Sequence, residues 1–134
     1  MPAAEQQSPF GSWNDRDAYA LFPSVRLHSV GGDQVLLCRV QYEPATHVRH
    51  HSHEHTEQVM YVLEGDVTLE VEGEKRAMVP GDVAVVNRGR EHALWSVGGC
   101  VFIEALAPVP LDHVGDPAHD LVLGQDGGRG HVER

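Results

Sequence analysis

The chain has 134 residues, of which 41% are hydrophobic and 22% charged, and its formal net charge is −10 at pH 7 with histidine neutral. This length fits a single domain that buries enough surface to fold alone. Twenty acidic residues against ten basic ones would repel a phosphate backbone over most of the surface. The longest apolar runs have the length of a strand and are too short for a membrane span. The composition therefore argues against a nucleic-acid partner and against a membrane segment.

The N-terminal sequence MPAAEQQSPFGSW has neither a basic start nor an apolar core, so it lacks the pattern of a secretory signal. The chain contains two cysteines, Cys38 and Cys100, and both lie inside apolar runs. Buried small hydrophobic residues are a better interpretation of this pair than a disulfide or a catalytic thiol. We therefore expect a reducing, cytoplasmic setting.

Residues 1–22 are expected to form an irregular N-terminal arm with one short helical turn near residues 15–21. From residue 23 to 107, short segments rich in β-branched residues alternate with turn sequences such as GGD, EGD and PGD. Their spacing of about ten residues, without a helical period, predicts one β-sandwich or β-barrel domain. Residues 108–134 are expected to form an extension and a mobile tail, with 120–123 as a candidate edge strand. The expected strands are 25–28, 35–42, 47–53, 57–63, 67–72, 76–79, 83–86, 93–97 and 101–106.

Four histidines lie within six positions, at 50, 51, 53 and 55, and imidazole is the commonest protein ligand for divalent metals. His51 and His53 are two apart, so in a strand their side chains share one face. The same parity predicts that His47, Arg49 and His55 share that face. His50 would then point to the opposite side.

The next strand places Gln58, Met60 and Val62 on one face. Much later, His92 follows the turn sequence NRGRE, which would bring its side chain to the mouth of a barrel. Three imidazoles, together with one oxygen from the strand that follows His51 and His53, would leave a divalent ion with open positions. This arrangement is typical of a catalytic metal site and not of a closed structural one.

These residues resemble two signatures of the cupin superfamily. His51-Ser-His53 with Gln58 and the sequence YVLEG resembles the first, and PGDV followed by Asn87-Arg-Gly89 and His92 resembles the second. Together they span about residues 35–107. The resemblance implies an all-β, single-domain cupin jelly-roll β-barrel that holds one divalent ion. The implied ligands are His51, His53, Gln58 and His92.

The sequence also departs from the family pattern. Ala45 stands where a glycine is expected, Asn87 where a proline is expected, and Ser96 where an asparagine is expected. At the position of the usual carboxylate ligand the chain has Gln58. Glu57 has the opposite strand parity and would replace Gln58 only if the strand bulges there.

A glutamine in place of the carboxylate leaves the divalent charge uncompensated, which strengthens the ion as a Lewis acid and disfavours an oxidised metal. Cupins with a His-His-Gln-His set resemble this chain most closely, and they include uronate-converting enzymes and polyketide cyclases. The resemblance therefore implies a metal-dependent cyclase, isomerase or lyase, with zinc as the first choice and nickel, manganese or iron still open. The alternatives are a dioxygenase that uses O2 and a non-catalytic module that binds a metal or a sugar.

Several residues near the histidines are candidates for further roles. His55 and His47 are candidate general bases, although a solvated position at the rim explains them equally well. Arg49 could hold a substrate carboxylate, and Met60 and Leu94 could form an apolar wall for a small organic substrate. Arg90 could also hold a substrate carboxylate, although Arg49 is the first candidate. The remaining histidines, 28, 113, 119 and 131, lie in segments without a matching constellation.

Small cupins commonly pair through their barrel sheets and exchange N-terminal strands. The resemblance therefore implies a homodimer, with the N-terminal arm as a candidate for the exchange. The other expected partner is a small-molecule substrate.

Overall fold

The computed structural model describes residues 8–15 and 18–110. A single 3-10 turn, Trp13–Asp15, precedes ten β-strands, and the described residues contain no α-helix. No helix in this part of the chain is long and apolar enough to cross a membrane. The strands are β1 Tyr19–Phe22, β2 Val25–Gly31, β3 Leu36–Tyr42, β4 Thr46–His51, β5 Glu57–Gly65, β6 Val67–Val71, β7 Glu74–Met78, β8 Val83–Val86, β9 His92–Ser96 and β10 Cys100–Ala107.

The strands form two antiparallel sheets that pack against each other. The six-stranded sheet has the order β1-β2-β3-β10-β5-β8, and the four-stranded sheet has the order β4-β9-β6-β7. Side chains from both sheets form one hydrophobic core, which includes Leu36, Met60 and Phe102 from the first sheet and Val67 and Leu94 from the second. This arrangement is the all-β jelly-roll barrel that the sequence predicts.

Alternation of buried and exposed residues explains why the sequence forms these strands. In β5, Gln58, Met60 and Val62 are buried while the residues between them are exposed. β3 repeats this alternation, so both strands turn every second side chain into the barrel. Burial of a large side chain such as Phe102 contributes roughly 1.5–3 kcal/mol, so the shared inner face stabilises the barrel.

Strand β4 is not regular. Its pairing with β9 passes from Val48 opposite Leu94 directly to His51 opposite His92, so two residues of β4 face one residue of β9. This is a β-bulge, and it turns the side chains of Arg49 and His50 outward together. The bulge shifts the alternation by one residue, which returns His51 to the inside of the barrel.

The barrel has two ends, and strands β4, β5, β9 and β10 all run from one end to the other. We call residues 42–46, 63–67 and 96–100 the turn end, where three connections meet. We call residues 51–58, 87–92 and 104–108 the site end, where the histidines lie.

The N-terminal arm differs from the expectation. The short helical turn expected near residues 15–21 is wrong, because the 3-10 turn ends at Asp15 and Tyr19–Phe22 form β1. β1 pairs with β2 at the edge of the six-stranded sheet, where the free backbone groups of β2 offer more hydrogen bonds than an isolated turn would. The last part of the expected irregular arm is thus a strand of the barrel. The expected tail after residue 110, with its candidate strand 120–123, lies outside the described residues.

Candidate metal centre

Three buried histidines meet at the site end. His51 is the last residue of β4, His53 lies in the connection to β5, and His92 begins β9. One ring nitrogen from each lies within 4.8 Å of the others, and the three side chains are at most 6% exposed. The ring centroids of His51 and His92 are only 4.2 Å apart. The structure thus brings together the three imidazoles that the sequence predicts as ligands.

Backbone carbonyls orient two of these rings. His51 Nδ1 lies 2.6 Å from the carbonyl oxygen of Arg49, and His92 Nδ1 lies 3.0 Å from that of Arg90. Because a carbonyl oxygen can only accept, each Nδ1 carries the proton and each Nε2 keeps a lone pair. Metal-binding histidines are commonly oriented in this way by a carbonyl or carboxylate at the other nitrogen.

His92 has the properties of a metal ligand. It is completely buried, and its Nε2 has no hydrogen-bond partner among the described residues. Burial lowers the pKa of His92, and the hydrogen bond to Arg90 offsets part of this effect. A lowered pKa favours the neutral imidazole, which is the form that binds a metal.

Gln58 is the candidate for a fourth donor. Its side chain is 4% exposed, and its Oε1 is buried without a hydrogen-bond partner in the described part of the chain. Its Nε2 donates to Glu104 Oε1 at 2.5 Å. Glu57 is exposed, and the pairing of β5 with β8 and β10 shows no bulge near it. The alternative in which Glu57 replaces Gln58 is therefore wrong for this structure.

Glu104 is a residue of the site that sequence reasoning missed. It lies on β10 between Phe102 and Leu106, on the strand face that looks into the barrel. Burial raises the pKa of its carboxyl, and the hydrogen bond from Gln58 offsets part of this rise, so that the pKa is about 7. The available signal was a lone acidic residue in the apolar run VFIEAL, since an inward charge there needs a polar partner.

Connections from three parts of the chain hold the site end together. Gly89 N donates to the carbonyl oxygen of His53 at 2.7 Å, so the β8–β9 turn holds the backbone of one of the three buried histidines. Buried Thr56 donates through Oγ1 to the carbonyl oxygen of Pro108 at 2.9 Å. These contacts hold the β4–β5 connection between the β8–β9 turn and the end of β10.

The parity argument fails for His47 and Arg49. Both side chains are exposed, because the bulge at residues 49 and 50 places them on the opposite face from His51. The ring of His47 packs edge-on against Trp95, with 5.7 Å between centroids. Their expected position on the ligand face is therefore wrong, and this placement does not support a catalytic role for His47 or a substrate role for Arg49.

The other polar candidates also lie outside the cluster. His55 is exposed and its Nε2 lies 3.8 Å from an oxygen of Glu54. His50 points outward as predicted, with its Nε2 3.6 Å from Glu70 Oε1. Arg90 Nε donates to Glu72 Oε1 at 3.0 Å. None of these three side chains is placed by the structure among the ligands.

The apolar candidates pack inside the barrel. Met60 and Leu94 are buried and belong to the main hydrophobic core. This packing explains both residues, and their role in substrate binding stays a prediction. Cys38 and Cys100 are free and buried, as the sequence predicts.

The donor set suits a divalent ion. Three imidazole nitrogens converge, and two buried polar atoms of the candidate ligand set, His92 Nε2 and Gln58 Oε1, have no hydrogen-bond partner among the described residues. A buried polar atom without a partner costs about 1–3 kcal/mol, and a bound cation would remove that cost. Imidazole and neutral oxygen donors accept zinc, nickel, manganese or iron, so the donors do not identify the metal.

Known proteins resemble this chain in sequence and in fold. Over 92 residues the chain is 32% identical to the tetracenomycin polyketide synthase protein TcmJ of Streptomyces glaucescens, a match that covers 64% of this chain and 62% of TcmJ. The chain thus spans less than two thirds of that relative's length. The structure of KdgF from Halomonas sp. superimposes with a TM-score of 0.71 at 24% identity, over 76% of this chain and 94% of KdgF.

A second structure, an RmlC-like cupin from Shewanella frigidimarina, gives a TM-score of 0.75 at 18% identity and covers 81% of this chain and 97% of its own. At these identities the two structures establish the fold alone. Residues 38–105, just over half of the chain, match the cupin domain family. The chain therefore belongs to the cupin family.

Proposed function

We propose that this cupin is a metal-dependent enzyme that uses a divalent ion as a Lewis acid on a small oxygenated organic substrate. The reaction would be a non-redox cyclisation, isomerisation or ring opening. The observation that carries the proposal is the buried set of His51, His53, His92 and Gln58, in which the oxygen of Gln58 has no hydrogen-bond partner in the described chain. A cluster of this kind stabilises the fold less than an apolar core would, and a bound cation would offset that cost.

The proposed metal is zinc, held by the three imidazoles and the Gln58 oxygen. When bound, such an ion polarises a substrate oxygen and stabilises negative charge that develops on it. All four donors are neutral, which disfavours an oxidised metal and supports Lewis-acid chemistry over oxygen chemistry. Nickel, manganese and iron are the other candidates.

The residues of the chain perform binding and orientation in this proposal. The Arg49 and Arg90 carbonyls hold the rings of His51 and His92 in the tautomer that binds metal. Met60 and Leu94 remain the proposed apolar wall for the substrate. The sequence predicts His47 and His55 as proton carriers, but their exposed positions do not support that role.

The relative TcmJ supports a particular substrate class. Its name places it in a polyketide synthase system, and it shares 32% identity over the aligned residues, which favours cyclisation of an aromatic polyketide intermediate here. Ring opening or isomerisation of a uronate-type sugar is the second candidate, through the resemblance of the His-His-Gln-His set. Both reactions need a polarised oxygen and a proton carrier.

Metal analysis tests the first half of the proposal. Protein purified without a metal-affinity step should contain one equivalent of zinc by elemental analysis. His51→Ala should lose most of it, because a buried ligand is removed. His50→Ala is the matched control, since His50 is the adjacent histidine but points outward, and it should keep the metal. Full metal in His51→Ala would contradict the site assignment.

Substrate trials test the second half. The metal-loaded enzyme is incubated with a linear polyketide analogue and with an unsaturated uronate, and the products are identified by mass spectrometry while oxygen is monitored. We expect cyclisation without oxygen consumption. Oxygen incorporation would instead show a dioxygenase, and metal binding without turnover of either compound would favour a binding module.

We also propose a cytoplasmic homodimer that pairs through the outer face of the six-stranded sheet. The two free cysteines suit a reducing compartment. The outer face carries a group of neighbouring apolar side chains that are 38–67% exposed, and such patches commonly mark an interface. The group consists of Val59, Tyr61, Leu63, Val83 and Val85. Light scattering should give twice the chain mass, and Tyr61→Lys should give the monomer mass.

A further inference from the structure

We propose that Glu104 is a positioning residue that fixes the side-chain amide of Gln58 so that its oxygen, and not its nitrogen, faces the three histidines. The inference rests on the proposed function, since it assumes that these four side chains hold a metal. It assigns a role to an inward-facing carboxylate that metal ligation alone leaves unexplained.

The strand register places the two side chains together. β5 and β10 are antiparallel neighbours, with Gln58 opposite Leu106 and Met60 opposite Glu104. Gln58 and Glu104 are therefore diagonal neighbours on the inner face, within reach of each other's side chains. The hydrogen bond from Gln58 Nε2 to Glu104 Oε1 is the contact that results.

The hydrogen bond decides which end of the amide meets the histidines. A glutamine amide has an accepting oxygen and a donating nitrogen of nearly equal size, and a half-turn about the last side-chain bond exchanges them. Only the oxygen has a lone pair available for a cation. Because Glu104 accepts from Nε2, Gln58 Oε1 is left on the other side, where it has no hydrogen-bond partner among the described residues.

The carboxyl group of Glu104 accepts a hydrogen bond from the Gln58 amide. An inward acidic side chain between Phe102 and Leu106 is costly, and an apolar residue would fill the same space at lower cost. A simple structural hydrogen bond would explain the contact between the two side chains. It would not predict that the affinity for metal depends on Glu104, and this difference makes the inference testable.

The first test replaces Glu104 by glutamine, which keeps the shape but removes the preference for the nitrogen end of Gln58. In competition with a chelator, the affinity of Glu104→Gln for Zn²⁺ should fall about 10- to 100-fold, the usual loss when a residue that orients a metal ligand is changed. Unfolding of the metal-free proteins is measured in parallel. Glu70→Gln is the matched control, because Glu70 lies on β6 beside outward-pointing His50. It should bind Zn²⁺ as the parent protein does.

The second test exchanges the two residues in the double variant Gln58→Glu with Glu104→Gln. The amide then stands on β10 and donates to the carboxylate on β5, whose second oxygen takes the place of the Gln58 oxygen. The double variant should regain at least about 10-fold of the affinity lost in Glu104→Gln, because the orienting contact is restored and the ligand is now a carboxylate. Gln58→Glu alone should be less stable without metal than the double variant, because two carboxylates then face each other.

The outcomes separate the inference from the proposed function. If the parent binds no metal, the proposed function fails. If the parent binds Zn²⁺, His51→Ala does not, and Glu104→Gln binds as tightly as the parent, the positioning role is wrong while the metal site stands. A double variant no better than Glu104→Gln would also overturn the positioning role. Because the exchange keeps the composition of the pair, the double variant can be compared with the parent even if Glu104→Gln folds poorly, and an affinity more than about 10-fold below that of the parent would overturn the positioning role.

Discussion

The two ends of the barrel are stabilised in different ways. At the site end, three buried imidazoles converge, and both His92 Nε2 and Gln58 Oε1 lack a hydrogen-bond partner among the described residues. At the turn end, backbone segments pack closely and their polar groups are paired. Ser96 Oγ donates to the carbonyl oxygen of Asp66 at 2.8 Å and accepts from Gly99 N at 2.9 Å. The paired groups of the turn end stabilise the fold, whereas each unpaired buried polar atom at the site end costs about 1–3 kcal/mol of stability.

This difference predicts that stability and metal binding can be changed separately. A substitution at the turn end should lower the free energy of unfolding and leave the gain from metal intact. A substitution of a ligand at the site end should remove that gain. Variants that changed both quantities equally would show that the two ends are not independent.

The largest expected effect is that of Gly65→Ala. Gly65 has φ +71°, and a Cβ there would overlap the carbonyl oxygen of Gly99 and lie 2.9 Å from Cys100 Cα. We expect a loss of about 3–5 kcal/mol in chemical denaturation, from backbone overlap and left-handed strain together. Gly73→Ala is the control, because Gly73 has φ +92° but nothing within 4 Å of a Cβ. It should lose about 1–2 kcal/mol, and an equal loss in both variants would contradict the packing argument.

His92→Ala should remove the stability gained from metal, which Gly65→Ala should keep. In the parent protein, free Zn²⁺ at about one hundred times its dissociation constant should raise the free energy of unfolding by about 2.7 kcal/mol. His92→Ala should lose this gain, while Gly65→Ala should keep it at a temperature where it is folded. Denaturation with and without a chelator measures both. A gain that persists in His92→Ala would remove His92 from the ligand set.

Ser96→Ala should have a smaller effect. Ser96 is 2% exposed, and its hydroxyl joins the β5–β6 turn to the β9–β10 turn. Removing it leaves a partly buried backbone donor and acceptor with one partner fewer, so we expect a loss of about 1–2 kcal/mol. The gain from metal should be unchanged. A reduced gain would show that the turn end influences the site.

Ala45→Gly has the smallest expected effect and is the only change expected to stabilise the protein. Ala45 has φ +65° in the turn before β4, a left-handed conformation that costs a residue with a Cβ roughly 1–2 kcal/mol. Glycine removes this strain but has more freedom in the unfolded chain, which costs about 0.4–1 kcal/mol. The net gain should be about 0.5–1 kcal/mol in denaturation. A loss of stability would show that Ala45 is not strained.

Much of this structure could be predicted from the sequence where strands alternate regularly. The burial of Gln58, Met60 and Val62 on β5 follows the period of two, and the pairing of His51 and His53 with distant His92 follows from the family signatures. Ala45 shows the same agreement, because the position where the family has glycine has a positive φ.

The errors have physical causes. The bulge in β4 shifts the alternation, and no local residue marks it, so the parity rule assigns His47 and Arg49 to the wrong face. The strand β1 depends on the edge of β2, a contact that a local pattern does not contain. Glu104 was missed because its role depends on Gln58, which is 46 residues away in sequence.

The sheet order has a consequence for how the protein forms. β10 lies between β3 and β5, although it is the last of the ten described strands, so the centre of the six-stranded sheet stays open until β10 has been synthesised. Pairings this distant in sequence fold slowly, and nascent β3 and β5 would each expose an unpaired edge in the meantime. Glu104 arrives with β10, so the growing chain has its three histidines before the residue that orients Gln58. Metal captured during synthesis would therefore meet an incompletely organised site.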